Sequence, residues 1–309
     1  MKKILLALLG VVSIIVLGSY FISSKMSQGE ETSEHNTHTE SSKPIDQSHR
    51  RYEMELVSKV DSVNINQPTT IVYKIKNDKG ELLKNYQVVH EKNMHFIVVR
   101  KDLEQFQHLH PEFNQQTGEF TVPVNFTVDG PYRLFPDFTP GDDNPQKLAV
   151  TVYKDINVGN VSGFQPHALE PNTNNEVSIP VENGSTGYQI TYSFPKELKA
   201  QQQIAYSLNV KQNGQEVNDL QQYLGAMGHG VILKKNTLDF IHTHAEEISG
   251  ADHAMEGHEL TIESTPKSSN KKSEIDFAVT FPESGTYKIF TQFQHKDKVL
   301  TTDYVVQVN

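Results

Sequence analysis

The chain has 309 residues, a length for about two ordinary domains. Its 38 acidic residues outnumber 28 basic ones, for a formal net charge of -10 and a pI near 5.8, which argues against a nucleic-acid partner and favours cations near the surface. The absence of cysteine removes disulfides, thiolate metal sites and cysteine nucleophiles together.

Residues 1–23 open on "MKK" and continue in an uncharged, mostly apolar run of 19 residues from Ile4 to Ile22. At helical rise such a run matches the thickness of a bilayer core, so it reads as a signal anchor or a signal peptide. No small-x-small cleavage site stands out in "SYFISSKMS", which favours an anchor. The two lysines would stay cytoplasmic and the bulk of the chain would lie outside the cell membrane, or be secreted if the segment is cleaved. Residues 24–50 are rich in Ser, Thr, Glu and His, with too little apolar content to fold, and read as a disordered linker.

From 51 to 155 the sequence alternates short β-branched and aromatic runs with turn residues. "YEMELVS", "TTIVYKIKN", "MHFIVVR", "GEFTVPVNFT", "PYRLFPDF" and "KLAVTVYK" are predicted strands, with "NDKG", "TG" and "VDGP" between them. Residues 156–176, rich in Asn, Gly and Pro, read as a second linker. A second set of strands fills 177–309: "GYQITYSF", "QIAYSLNV", "GVILKK", "SEIDFAVTF", "GTYKIFTQFQ" and "TTDYVVQV". No segment carries a helical period. The expected fold is all-β, with two tandem immunoglobulin-like or cupredoxin-like β-sandwiches after the N-terminal membrane helix and the linker.

The two halves are copies. "FQHLHPE" at 106–112 recurs as "FIHTHAE" at 240–246, an offset of 134 that also pairs His95 with His229 and Gly80 with Gly214. "GPYRLFPDF" at 130–138 recurs as "GTYKIFTQF" at 285–293, now offset by 155. Each half therefore holds a histidine, twelve residues, then His-x-His: His95, His108 and His110, and again His229, His242 and His244. Between His95 and His110 few other identities to the second copy survive, so the polar set is what persisted.

On a strand, residues i and i+2 face the same side, so each His-x-His pair projects two imidazoles about 6–7 Å apart. A short turn brings the third imidazole from the neighbouring strand. Three imidazoles suit Zn(II), Cu(II) or Ni(II), and the order of affinities favours copper over zinc. Asp137 and its counterpart Gln292 are candidate fourth ligands. Met94 and Met227, close to the first histidine of each copy, are further candidates, since a thioether would favour Cu(I). His253, Met255 and His258 in the second half's extra loop form a candidate capture segment. His90, His167 and His295 match no constellation.

"NMHFIVVRKDLEQFQHLHPE" followed by "GPYRLFPDFTP" resembles a group of exported bacterial proteins that carry this "MH, then HLHP" module, often twice, and are met alongside copper export and cupredoxin-type proteins. The resemblance covers most of 52–309. It implies a β-sandwich fold and extracytoplasmic handling of copper or another transition metal as a buffer, chaperone or resistance factor, with a copper exporter or a cupredoxin as partner. A blue-copper centre is excluded because it needs a thiolate. The other readings are a cell-surface adhesion or assembly module and, less favoured, a metal-dependent enzyme with Glu112 and Glu246 beside the histidines. GxSxG, P-loop and GxGxxG motifs are absent.

Overall fold

A computed structural model describes residues 51–60, 63–141, 148–179, 187–245 and 272–309. The segments expected as membrane anchor and first linker, residues 1–50, lie outside these residues. Among the described residues every regular element is a β-strand, and no helix is long and apolar enough to cross a membrane.

The first half contains β1 (Tyr52–Leu56), β2 (Pro68–Asn77), β3 (His95–Arg100), β4 (Phe106–Leu109), β5 (Glu112–Asn114), β6 (Glu119–Asn125), β7 (Gly130–Phe138), β8 (Val150–Thr151) and β9 (Lys154–Val158). One sheet runs β1-β2-β6-β5; the other runs β4-β3-β7-β8, with β9 also on β7. The second half contains β10 (Glu176–Ile179), β11 (Tyr188–Ser193), β12 (Gln203–Gln212), β13 (Gln215–Glu216), β14 (His229–Lys234), β15 (Phe240–His244), β16 (Glu274–Thr280), β17 (Gly285–His295) and β18 (Lys298–Val308). Its sheets run β10-β11-β12-β13, with β16 also on β12, and β15-β14-β17-β18. All pairings are antiparallel, and the topology repeats from one half to the other.

Alternation explains the strands. In β2, Ile71, Tyr73 and Ile75 are buried while the residues between them are not. Tyr73 stacks against Phe96 at 5.0 Å and Phe120 at 5.4 Å, joining the two sheets of the first half. In the second half Tyr206 stacks on Phe277 of the neighbouring strand at 5.1 Å and on Phe194 at 5.0 Å, and Phe194 in turn meets Tyr304 of the other sheet at 5.4 Å.

The run predicted as one strand over 147–154 is divided. β8 ends at Thr151, and β9 continues to Val158, past the expected domain end at 155, because Ile156 and Val158 complete the alternation into the core. The segment expected as a linker is also docked. Leu169 is buried, its carbonyl accepts from Lys235 Nζ, and Asn172 exchanges two hydrogen bonds with the Val305 backbone.

β3 and β14 do not alternate; their first five residues are all buried. Both faces of these strands are covered, one by their own sandwich and the other by the opposite half. A third apolar cluster lies between the halves, built from Ile97, Val99 and Phe135 on one side and Val231, Leu233 and Phe290 on the other. The contacts are reciprocal, as across a two-fold axis. Phe106 stacks on Phe290 at 4.1 Å and 5°, and the equivalent pair, Phe240 on Phe135, lies at 5.2 Å and 33°. Lys288 pairs with Glu104, while its counterpart Arg133 donates to the Thr237 carbonyl.

Removing this contact should destabilise the whole unit. Phe290→Ala is expected to cost about 3 kcal/mol in urea unfolding, as for a buried ring, and a double-mutant cycle with Phe106→Ala should return a coupling of about 1 kcal/mol. Strict additivity would show that the stacked pair contributes nothing beyond burial.

Candidate metal centre

The face that meets the opposite half also carries the histidines. β3 presents His95, Ile97 and Val99; β4 presents Phe106 and His108, with His110 just beyond its end; β7 presents Arg133, Phe135 and Asp137. The ladders put His95 opposite Asp137, Ile97 between His108 and Phe135, and Val99 between Phe106 and Arg133. β14, β15 and β17 repeat this register: His229 between His244 and Gln292, Val231 between His242 and Phe290, Leu233 between Phe240 and Lys288. The apolar rows seal against each other, and the histidine rows close the same end of the joint.

Two triads result, His95 with His108 and His110, and His229 with His242 and His244. Within each, one nitrogen per ring lies within 4.8 Å of the others. The hydrogen bonds decide which nitrogen that is. His229 Nε2 donates to the Tyr223 carbonyl at 2.8 Å, and its Nδ1 is buried with no partner in the protein. His242 Nδ1 donates to Asp137 Oδ2 at 2.7 Å, leaving its Nε2 buried and unpaired. His244 Nε2 and His110 Nε2 are buried and unpaired too.

The first triad follows the same scheme. His108 Nδ1 donates to Gln292 Oε1 at 2.9 Å, so its Nε2 offers a lone pair. His95 Nε2 faces the Val89 carbonyl at 3.4 Å, and its Nδ1 is 3.0 Å from His108 Nε2. Two ligands on one tetrahedral zinc at about 2.0 Å stand roughly 3.3 Å apart, so this separation is close to that of a chelating pair. A buried lone pair without a donor is costly. Here several converge, and a cation placed among them would satisfy them together.

The carbonyls behind His95 and His229 come from equivalent tight turns. Val89 pairs with Lys92 and Tyr223 with Ala226, with both central residues of each turn at positive φ: His90 and Glu91, and Leu224 and Gly225. Three of these four are not glycine, and each such residue costs about 1–2 kcal/mol. The backbone is held this way at both triads.

Burial keeps most of the cluster neutral. His95 falls to about 2 and His108 well below the usual value, through desolvation first and then the neighbouring imidazoles. Desolvation likewise brings His110 and His229 to about 4 and lowers His244 and His90. These imidazoles are therefore deprotonated at neutral pH, the form that metal coordination needs.

Asp137 and Gln292 stand behind imidazoles of the opposite half, and not within either triad. Asp137 Oδ1 accepts from Thr151 Oγ1 at 2.8 Å and its Oδ2 from His242; Gln292 accepts from His108 and donates to Thr301 Oγ1 at 3.1 Å. Each orients a ring, and this cross-half exchange is invisible to a repeat search. Met94 is buried in the first core and Met227 packs against the second, so both thioethers are taken up by apolar packing. His253, Met255 and His258 lie outside the described residues.

His90, which no repeat match singled out, joins the second triad. Its ring stacks on His244 at 3.7 Å and meets His229 edge-on at 5.5 Å. The equivalent residue of the second half is Leu224, so the internal comparison gave no signal. A cleft of about 210 Å³, lined by His90, Lys92, His95, Asp137, His242 and His244 among others, leads from solvent to the cluster. His295 lies elsewhere, bonded to the Tyr188 hydroxyl and to Asp219.

The lowered values set a pH dependence. Unfolded histidines take protons near 6.5, whereas His110 and His229 in the folded protein do so only near 4. Acid therefore favours the unfolded chain: stability is complete above about pH 6.5 and is lost as the pH falls towards 4. Melting of the metal-free protein should drop across this window, and a flat melting temperature from pH 7 to pH 5 would contradict it.

Among solved structures, matches include Salmonella alpha-2-macroglobulin reacted with methylamine (8% identity, TM-score 0.23, 83% of this chain and 15% of that one). A marsupial T cell receptor (11%, 0.24, 84% and 72%) and a putative membrane anchored protein from Corynebacterium diphtheriae (10%, 0.21, 84% and 57%) match similarly. The chain thus spans a fifth or less of the macroglobulin chains. No curated protein matches the sequence. A family model described as a domain of unknown function (DUF8832) matches twice, over residues 47–155 and 182–309, one match to each half, and the chain belongs to that family.

Proposed function

We propose that the protein binds a transition metal, copper above all, outside the cytoplasm, as a buffer, chaperone or resistance factor. The observation that carries this reading is the set of buried, unpaired imidazole nitrogens in two equivalent triads. Six imidazoles and no thiolate suit copper or zinc, and copper is the stronger binder of the two. An N-terminal anchor would hold the unit at the outer face of the cell membrane, where an exporter or a cupredoxin is the natural source or recipient. Binding is favoured over turnover because both oxygens of Asp137, the carboxylate against the cluster, are engaged by Thr151 and His242.

The purified chain, free of any histidine tag, should take up about two copper ions that resist a weak competing chelator. Most of that uptake should vanish when His108, His110, His242 and His244 are replaced by Ala. Full uptake by the quadruple variant would reject the reading. Copper at a hundred times its dissociation constant should stabilise the fold by about 2.7 kcal/mol, and a melting temperature unmoved by copper would favour an adhesion or assembly module instead. Asp137→Ala, which frees the outer nitrogen of His242, should weaken uptake at the second triad by about 10- to 100-fold.

A further inference from the structure

The two triads are not insulated from each other. The ring of His95 lies 5.2 Å from His108 and His110 of its own triad, and the same 5.2 Å from His242 of the other. His108 and His242 are 5.8 Å apart, closer than His229 and His242 within one triad at 6.2 Å. Ring separations across the triads, 5.2–6.2 Å, thus overlap those inside them, 4.5–6.2 Å, and the outer nitrogens of His95, His108, His229 and His242 are tied back to protein. The free lone pairs face a common space.

Two divalent cations in that space repel each other with four times the energy of unit charges at the same separation. Imidazole ligands supply no negative charge, and the carboxylate of Asp137 is bonded to Thr151 and to the outer nitrogen of His242. Each cation also keeps an open position, since three imidazoles leave one ligand short of a tetrahedral set. One small anion shared between the two cations answers both demands. The cleft gives it a path, because its lining includes His95, His242 and His244, from both triads, and Lys92, a cation that attracts anions, while the Asp137 carboxylate on the same lining is bonded to Thr151 and His242.

We propose that the two triads form a single dinuclear centre in which the cations share a small bridging anion, hydroxide when no other is supplied. The bridge forms when one water binds both cations and releases a proton to solvent; no electron is transferred. This rests on the metal-binding reading above and adds that the two ions are coupled.

The test is a spin count. The full chain is loaded with Cu(II), stripped of weakly held metal with glycine, and assayed for copper and for electron paramagnetic resonance intensity. The expected result is two copper ions per chain with intensity well below two spins, both spins returning after anaerobic release in acid. His110→Ala and His244→Ala, each of which leaves one triad whole, should give one copper ion with a full spin. Two ions with two full spins in the intact chain would overturn the coupling and leave metal binding standing, as would one ion per chain. Missing spins that do not return on acid release would mean reduced copper and would also overturn it. No retained copper at all would reject the metal-binding reading itself.

Discussion

The contact on which the structure depends is the meeting of two equivalent sheet faces, β3, β4 and β7 against β14, β15 and β17. Strand geometry allows one residue in two to reach that face, and each strand divides its outward positions between apolar and polar ends. Ile97, Val99, Phe106 and Phe135 meet Val231, Leu233, Phe240 and Phe290, and this apolar joint fixes how closely the sheets approach. The imidazoles one step along the same strands inherit that separation. Their convergence is a by-product of hydrophobic packing, and needs no long loops to achieve it.

The polar end would be a liability in a protein that bound nothing. Burial holds His95, His108, His110 and His229 well below their ordinary titration range, so they cannot be relieved by protonation near neutral pH. The outer nitrogens of His95, His229, His242 and His108 are bonded to Val89, Tyr223, Asp137 and Gln292 in turn, which aims the remaining lone pairs inward. Two of those four partners belong to the opposite half from the ring they hold. Neither half alone orients its own His-x-His pair.

Much of this was legible in the residues. The period-two runs identify most strands, and the recurrence of His-x12-His-x-His separates the six histidines from the other eight. What escaped was everything that depends on one half touching the other. The apolar runs of β3 and β14 announce strands covered on both sides, but not by what. Asp137 and Gln292 sit in the right register to accompany the histidines, yet their partners lie 105 and 184 residues away in the chain. His90 carries no repeat signal because its counterpart is Leu224. Met94 and Met227 neighbour histidines in sequence, but adjacent strand residues face opposite ways, and Met94 turns into the core while His95 turns to the joint.

The connector between the halves has a consequence of its own. Leu169 and Asn172 fasten it to β14 and β18, and it keeps the second set of imidazoles permanently close to the first. Tethering of this kind replaces an encounter between separate molecules with an effective local concentration that reaches about millimolar for short connections. The six-imidazole pocket is consequently assembled in each molecule by itself, and a solution diluted to trace protein levels would keep it whole where a homodimer built on the same joint would fall apart.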